Sequence, residues 1–278
     1  MGKPSRTFIR HFQTGGFHSH LFEIACFAYL ESAKLNPERT HTSPDFLAAC
    51  NGNGLAFEAT TSNPAKQSSD ISLLRMKELS QQQLVDKVNV EFPRRMTSIF
   101  QKKLRHKYHQ LPQCAGKPII LMVAPFFEPG SLFYIDESLL NCLYGINNDS
   151  SGFFFLENAN SISAIMYCNQ FTVSRFLRLA TPPANNTELA LTREGWYYAV
   201  HQGGELFERQ YKFQVGEASS PQESWAEGVT VFHNPNALIP IPTSLLPCTS
   251  HFSVEDGRLT REVIGFHPLT SFTTMSPK

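Results

Sequence analysis

Nine consecutive residues, Ile119 to Phe127 (IILMVAPFF), are apolar throughout. A strand with no polar alternation belongs in the middle of a sheet that is covered on both faces. The run is far shorter than the roughly 18 apolar residues that a membrane span needs. Gly116-Lys117-Pro118 marks its start. Around this strand the pattern predicts an α/β core. Residues from about 20 to 35 (HLFEIACFAYLESAKL) read as a largely buried helix, stopped by Asn36-Pro37. Residues 65 to 90 are polar and read as a loop with some helix. A second helix is expected from about 94 to 110, with Met96, Ile99, Phe100, Lys103, Leu104 and Lys107 on or beside one stripe at helical spacing. A short helix near 136 to 144 and a further strand, ISAIMYCNQF, complete the core. Beyond about residue 180 come loops, Pro-rich turns and a few strands, WYYAV and TVFHNP among them. The expected organisation is a core over 1–180 with a C-terminal α+β extension over 181–278, packed as one structural unit.

A length of 278 residues, 41% of them hydrophobic and 23 of them Phe, suits one elaborated domain. The 24 basic residues balance 24 acidic ones, so any attraction for nucleic acid must come from a local patch. The six cysteines are widely spaced and form no CxxC pair, which argues against a zinc ribbon and for reduced thiols in a cytoplasmic setting. The N-terminal MGKPSRTFIRHF lacks the apolar run of a signal peptide. No stretch is long enough for a membrane span, so no membrane partner is expected.

The chemistry concentrates in residues 45 to 61, DFLAACNGNGLAFEATT. Two short apolar segments around an Asn-Gly pair predict a β-hairpin. With Asn51-Gly52 as the loop of a type I′ turn, Asp45 faces Glu58 on one side of the hairpin and Phe46 faces Phe57 on the other. With Asn53-Gly54 as the loop, Asp45 faces Ser62 and Glu58 faces Ala49. The first register matches like with like on both faces and is preferred. Opposed carboxylates repel unless a cation lies between them, and hard oxygen ligands suit Mg²⁺ or Mn²⁺. The alternative is an exposed hairpin with its acids in solvent. Glu23 is the other anomaly, a lone acid within LFEIACFAYL. It either marks the rim of a buried helix or reaches a metal or an arginine.

Glu23 in the first helix, then Pro44-Asp45, then Glu58-Ala59-Thr60, resemble in type and order the motif of the PD-(D/E)xK nuclease superfamily. The likeness covers roughly residues 18 to 125. The stretches HLFEIACFAYL, SPDFL, FEATTSNP, QCAGKP and FHNPNAL also resemble a family of uncharacterised bacterial proteins with this nuclease fold. The resemblance implies a restriction-endonuclease-like αβββαβ core: helix, three-stranded meander, helix, strand. It further implies a Mg²⁺- or Mn²⁺-dependent nuclease acting on DNA or RNA, the metal held by Glu23, Asp45, Glu58 and the carbonyl of Ala59. The motif's lysine position holds Thr60, which cannot supply a positive charge. Some superfamily members carry that lysine on the following helix. Lys103, on the inward stripe, is the candidate here, with Lys107 as substitute. Arg94, Arg95, Lys102, Arg105 and Lys107 would then hold the phosphate backbone. The alternative is a nuclease fold that has lost catalysis and binds nucleic acid or a protein.

Other motifs carry less. His18 and His20 lack a suitably spaced partner for a metal, and there is no G-x-S-x-G elbow. Ala115-Gly116-Lys117 precedes a strand, the reverse of a phosphate-binding loop. Trp196, Tyr197, Tyr198 and Trp225 read as core aromatics before base-stacking ones.

Overall fold

The computed structural model describes all residues except 1–5, 14–15, 51, 63–79, 127–130, 132, 147–151, 181–187 and 202. Helices α1 (Arg6–Gln13) and α2 (Phe17–Ser32) lead into the hairpin of β1 (Phe46–Cys50) and β2 (Asn53–Thr61). Next come α3 (Gln81–Asp86), a π turn (Lys87–Glu91) and α4 (Phe92–Leu104), followed by β3 (Ile119–Ala124), α5 (Leu140–Tyr144), β4 (Ala164–Tyr167) and α6 (Val173–Ala180). The remaining strands are β5 (Leu189–Val200), β6 (Leu206–Gln214), β7 (Thr230–His233), β8 (Ser250–Glu255), β9 (Arg258–Val263) and β10 (His267–Pro277).

Seven strands form a mixed sheet in the order β1-β2-β3-β4-β7-β8-β9, and β10-β5-β6 form an antiparallel sheet of three. The chain is thus α/β. Strands β7 to β9 enlarge the main sheet, so residues beyond 180 build part of the core itself. β3 lies between two parallel neighbours, β2 and β4. Ile120, Met122 and Ala124 join the core on the α2 side, with Phe22, Cys26 and Tyr29. Ile119, Leu121 and Val123 join the opposite core, with Phe92, Met96 and Phe100 of α4. Covering both faces is what requires Ile119–Ala124 to be apolar at every position.

The hairpin takes the preferred register: Phe46 pairs with Phe57 and Cys50 with Asn53. Gly52 has φ 84°, open to glycine without steric cost, while Asn51 lies outside the described residues. In place of the third strand of a meander, a single bridge from Glu38 to Leu47 borders the outer edge of β1.

The second helix differs from expectation at both ends. Helical structure begins earlier, with α3 at Gln81, where Ser80 and Gln83 form a capping box, and it runs through the π turn into α4. It ends at Leu104, with Arg105 as its C-cap. Lys107 then takes a left-handed conformation, φ 50°, turning the chain so that Tyr108 is buried. Arg105 and Lys107 therefore lie beyond the helical stripe, and Lys107 is no substitute for Lys103. A second Asx-Gly hairpin, Asp256-Gly257 between β8 and β9, pairs Glu255 with Arg258. All six cysteines are free. Among the described residues, no helix is long and apolar enough to cross a membrane.

Candidate active site

Alternation along the hairpin decides which face its acids use. Phe46, Phe57 and Ala59 pack toward α2, so Asp45, Glu58 and Thr60, one residue out of phase, fall on the α4 side. A 330 Å³ pocket opens there, lined by Ser19, Glu23, Asp45, Glu58, Ala59 and Lys103 among others. Lys102 and Thr60 also line it. The pocket therefore unites Glu23, Asp45, Glu58, Ala59, Lys103 and Lys102. Of the remaining basic residues, Arg94 lines a different, 660 Å³ hollow between α4 and α5. Arg95 Nε is ion-paired with Glu91 at 3.3 Å. Arg105 and Lys107 are exposed beyond the helix end.

Lys103 Nζ lies 2.5 Å from Glu58 Oε1, both side chains being mostly buried. Glu58 Oε2 is also buried, with the Tyr108 hydroxyl as its neighbour. Asp45 Oδ2 accepts the Ala59 N–H at 2.8 Å. Burial and then the neighbouring Glu58 raise the Asp45 pKa to about 6, against the pull of that N–H. Glu23 comes from α2, on the opposite face of the sheet. It reaches the pocket wall, but its Oε2 is held by Arg39 Nη2 at 2.9 Å. This acid thus reaches an arginine, and its partial exposure also places it at the rim of the helix. Among the described residues, no three His, Cys, Asp or Glu side chains are grouped to hold a metal.

No protein-family model matches the chain, nor does any curated protein or solved structure. Its chemistry has to be read from its own geometry.

Mg²⁺ commonly binds through one or two carboxylates and keeps several waters. Asp45 and Glu58 fit that pattern on two counts. Glu58 presents a buried second oxygen that no cation offsets, and the Asp45 carboxylate is disfavoured by burial and by Glu58. The Ala59 carbonyl would supply a third oxygen, since Ala59 lines the same pocket. The N–H groups of Ala56 and Ser62 point to the β3 side, so the two-residue period turns the amide of Ala59 toward β1. Continuing the hairpin register past Phe46 sets Pro44 opposite Ala59, and proline has no N–H to offer its carbonyl.

Two neighbours of the site were beyond the reach of sequence patterns. Arg39 follows the helix stop without any motif. Tyr108 carries a buried hydroxyl beside the Glu58 carboxylate. Burial, and then the charge of Glu58, push its phenol well above the ordinary tyrosine range.

Proposed function

We propose that the chain is a divalent-metal-dependent nuclease hydrolysing phosphodiester bonds in DNA or RNA, on a restriction-endonuclease-like core. The observation that carries the reading is the ammonium of Lys103 on Glu58, beside Asp45. It supplies from a helix the cation missing at Thr60. The succession of α2, the Glu38 bridge, the β1–β2 hairpin, α4 and β3 supports the core assignment. Asp45 and Glu58 would hold Mg²⁺ or Mn²⁺, with the Ala59 carbonyl as a further oxygen. Such an ion supplies Lewis-acid polarisation of a phosphoryl oxygen and lowers the pKa of bound water. Lys103 supplies positive charge where the oxyanion develops. Lys102 lines the same pocket, and Arg105 and Lys107 stand exposed beyond the helix end, available to phosphates. Glu23 belongs to the pocket wall. Six free cysteines fit a cytoplasmic location.

The test is cleavage of single- and double-stranded DNA and RNA by purified protein with Mg²⁺ or Mn²⁺. The wild type is expected to cut, and Asp45→Ala with Glu58→Ala to lose at least about 10²-fold in rate. Cleavage surviving that double substitution sinks the reading. A second reading, a binding module without turnover, has one observation in its favour: Arg39 already takes Glu23, leaving two carboxylates. It predicts nucleic-acid binding by fluorescence anisotropy with no product under any metal.

A further inference from the structure

We propose that Lys103 is the resident counter-cation of Glu58, displaced when a divalent ion binds, so that metal loading releases its ammonium for the substrate phosphate. This rests on the metal-site reading above.

The pocket confines two acids, Asp45 and Glu58, with Asp45 Oδ2 taking the Ala59 N–H at 2.8 Å. Lys103 offsets one of those charges through Glu58 Oε1 at 2.5 Å. An ion held by the two carboxylates would place its double charge next to that ammonium, and like charges so close disfavour each other. Glu58 Oε2, buried and faced by the Tyr108 hydroxyl but by no cation, is where an ion can begin to bind while Lys103 still holds Oε1. Lysine suits a displaceable cation. Its ammonium is strongly hydrated and rides on a flexible four-carbon stem, whereas a guanidinium would lock the carboxylate bidentately. Lys103 also lines the pocket and is partly exposed, so its head can swing toward solvent without unpacking α4. By linkage, whatever factor the metal contributes to lysine release is the factor by which removing the lysine tightens the metal.

The experiment measures Mn²⁺ affinity by titration calorimetry in the absence of nucleic acid, on wild type, Lys103→Met and Lys103→Gln. Circular dichroism checks folding, and the Gln variant serves if Met does not fold. The neutral variants are expected to bind Mn²⁺ at least about 10-fold more tightly than wild type. An amine-acylating reagent, read by peptide mass spectrometry, should label Lys103 faster after Ca²⁺ is added, with exposed Lys107 as the reference. Equal or weaker Mn²⁺ affinity in both variants overturns the displacement and leaves the metal site standing. Lys103 labelling that Ca²⁺ leaves unchanged or slows does the same. Absence of Mn²⁺ binding in all three proteins overturns both the displacement and the nuclease reading.

Discussion

Asp45 accepts the Ala59 amide and faces Glu58 at the open end of the hairpin, where burial and the second acid raise its pKa from 3.8 to about 6. Between those two values the native state holds a proton that the unfolded chain has released. Stability of the metal-free protein therefore falls as pH rises through this window, and the loss is complete above about 6. A shift of that size is worth about 3 kcal/mol at most. Asp45→Asn keeps an acceptor for the Ala59 N–H and removes the titration. We expect it to melt a few degrees above metal-free wild type at pH 7.5, with the gap closing toward pH 4. Scanning calorimetry across that range checks it, and a gap independent of pH would refute the assignment. The opposition of Asp45 and Glu58 was legible in the sequence because a two-residue turn fixes every cross-strand partner. Arg39 on Glu23 and Tyr108 beside Glu58 were not. They meet the acids through packing between distant segments, and nothing in local spacing encodes that.

At the level of elements, the helix carrying Lys103 is positioned by its apolar side. Phe92, Met96 and Phe100 are fully buried, and the Phe100 ring lies 5.4 Å from that of Phe153. Lys103 stands three residues beyond Phe100 on the same face, so the packing of that ring aims the ammonium. Phe100→Ala should cost about 3–5 kcal/mol in urea unfolding, Phe100→Leu distinctly less. An m-value unchanged from wild type would show that the loss is of packing alone. If Phe100→Ala unfolds within about 1 kcal/mol of wild type, that ring does not anchor α4. The stripe of Met96 and Phe100 predicted this face from the sequence, but it overran the helix end. The chain reverses after Leu104 because Tyr108 is drawn into the core, a tertiary demand that periodicity does not register. The β8–β9 hairpin carries the same kind of signal as β1–β2, an Asp-Gly pair with positive φ at both residues. Its flanks, SHFSVE and RLTREV, hold too many polar residues for their alternation to stand out.

The whole molecule depends on a buried polar join that its sequence conceals. Arg193 of β5 is fully buried and ion-paired with Glu227, and its Nη1 lies 3.0 Å from Glu223 Oε1. Its Nε donates to Ser271 Oγ of β10 at 2.7 Å, and its guanidinium lies over the rings of Tyr211, Phe213 and Phe266. Arg178 of α6 reaches Glu223 from the other side. Along LALTREGWYYAV an arginine reads as a solvent-facing strand residue, because charged side chains are seldom wholly buried. Only the assembled sheets reveal that it faces inward. Arg193 thus ties the three-stranded sheet to the segment leading into β7, and through it to the main sheet. Removing one partner of a buried ion pair leaves an uncompensated charge, whereas removing both leaves none. Arg193→Met should therefore destabilise by about 3–5 kcal/mol in thermal or urea unfolding. Adding Glu227→Gln should restore part of that loss, a coupling that a double-mutant cycle measures directly. Since the carboxylate pocket contains none of these residues, Mn²⁺ affinity of the folded variants should stay at the wild-type value. Strictly additive losses would mean that the two groups do not act as a pair, and the join would then rest on the aromatic rings around Arg193.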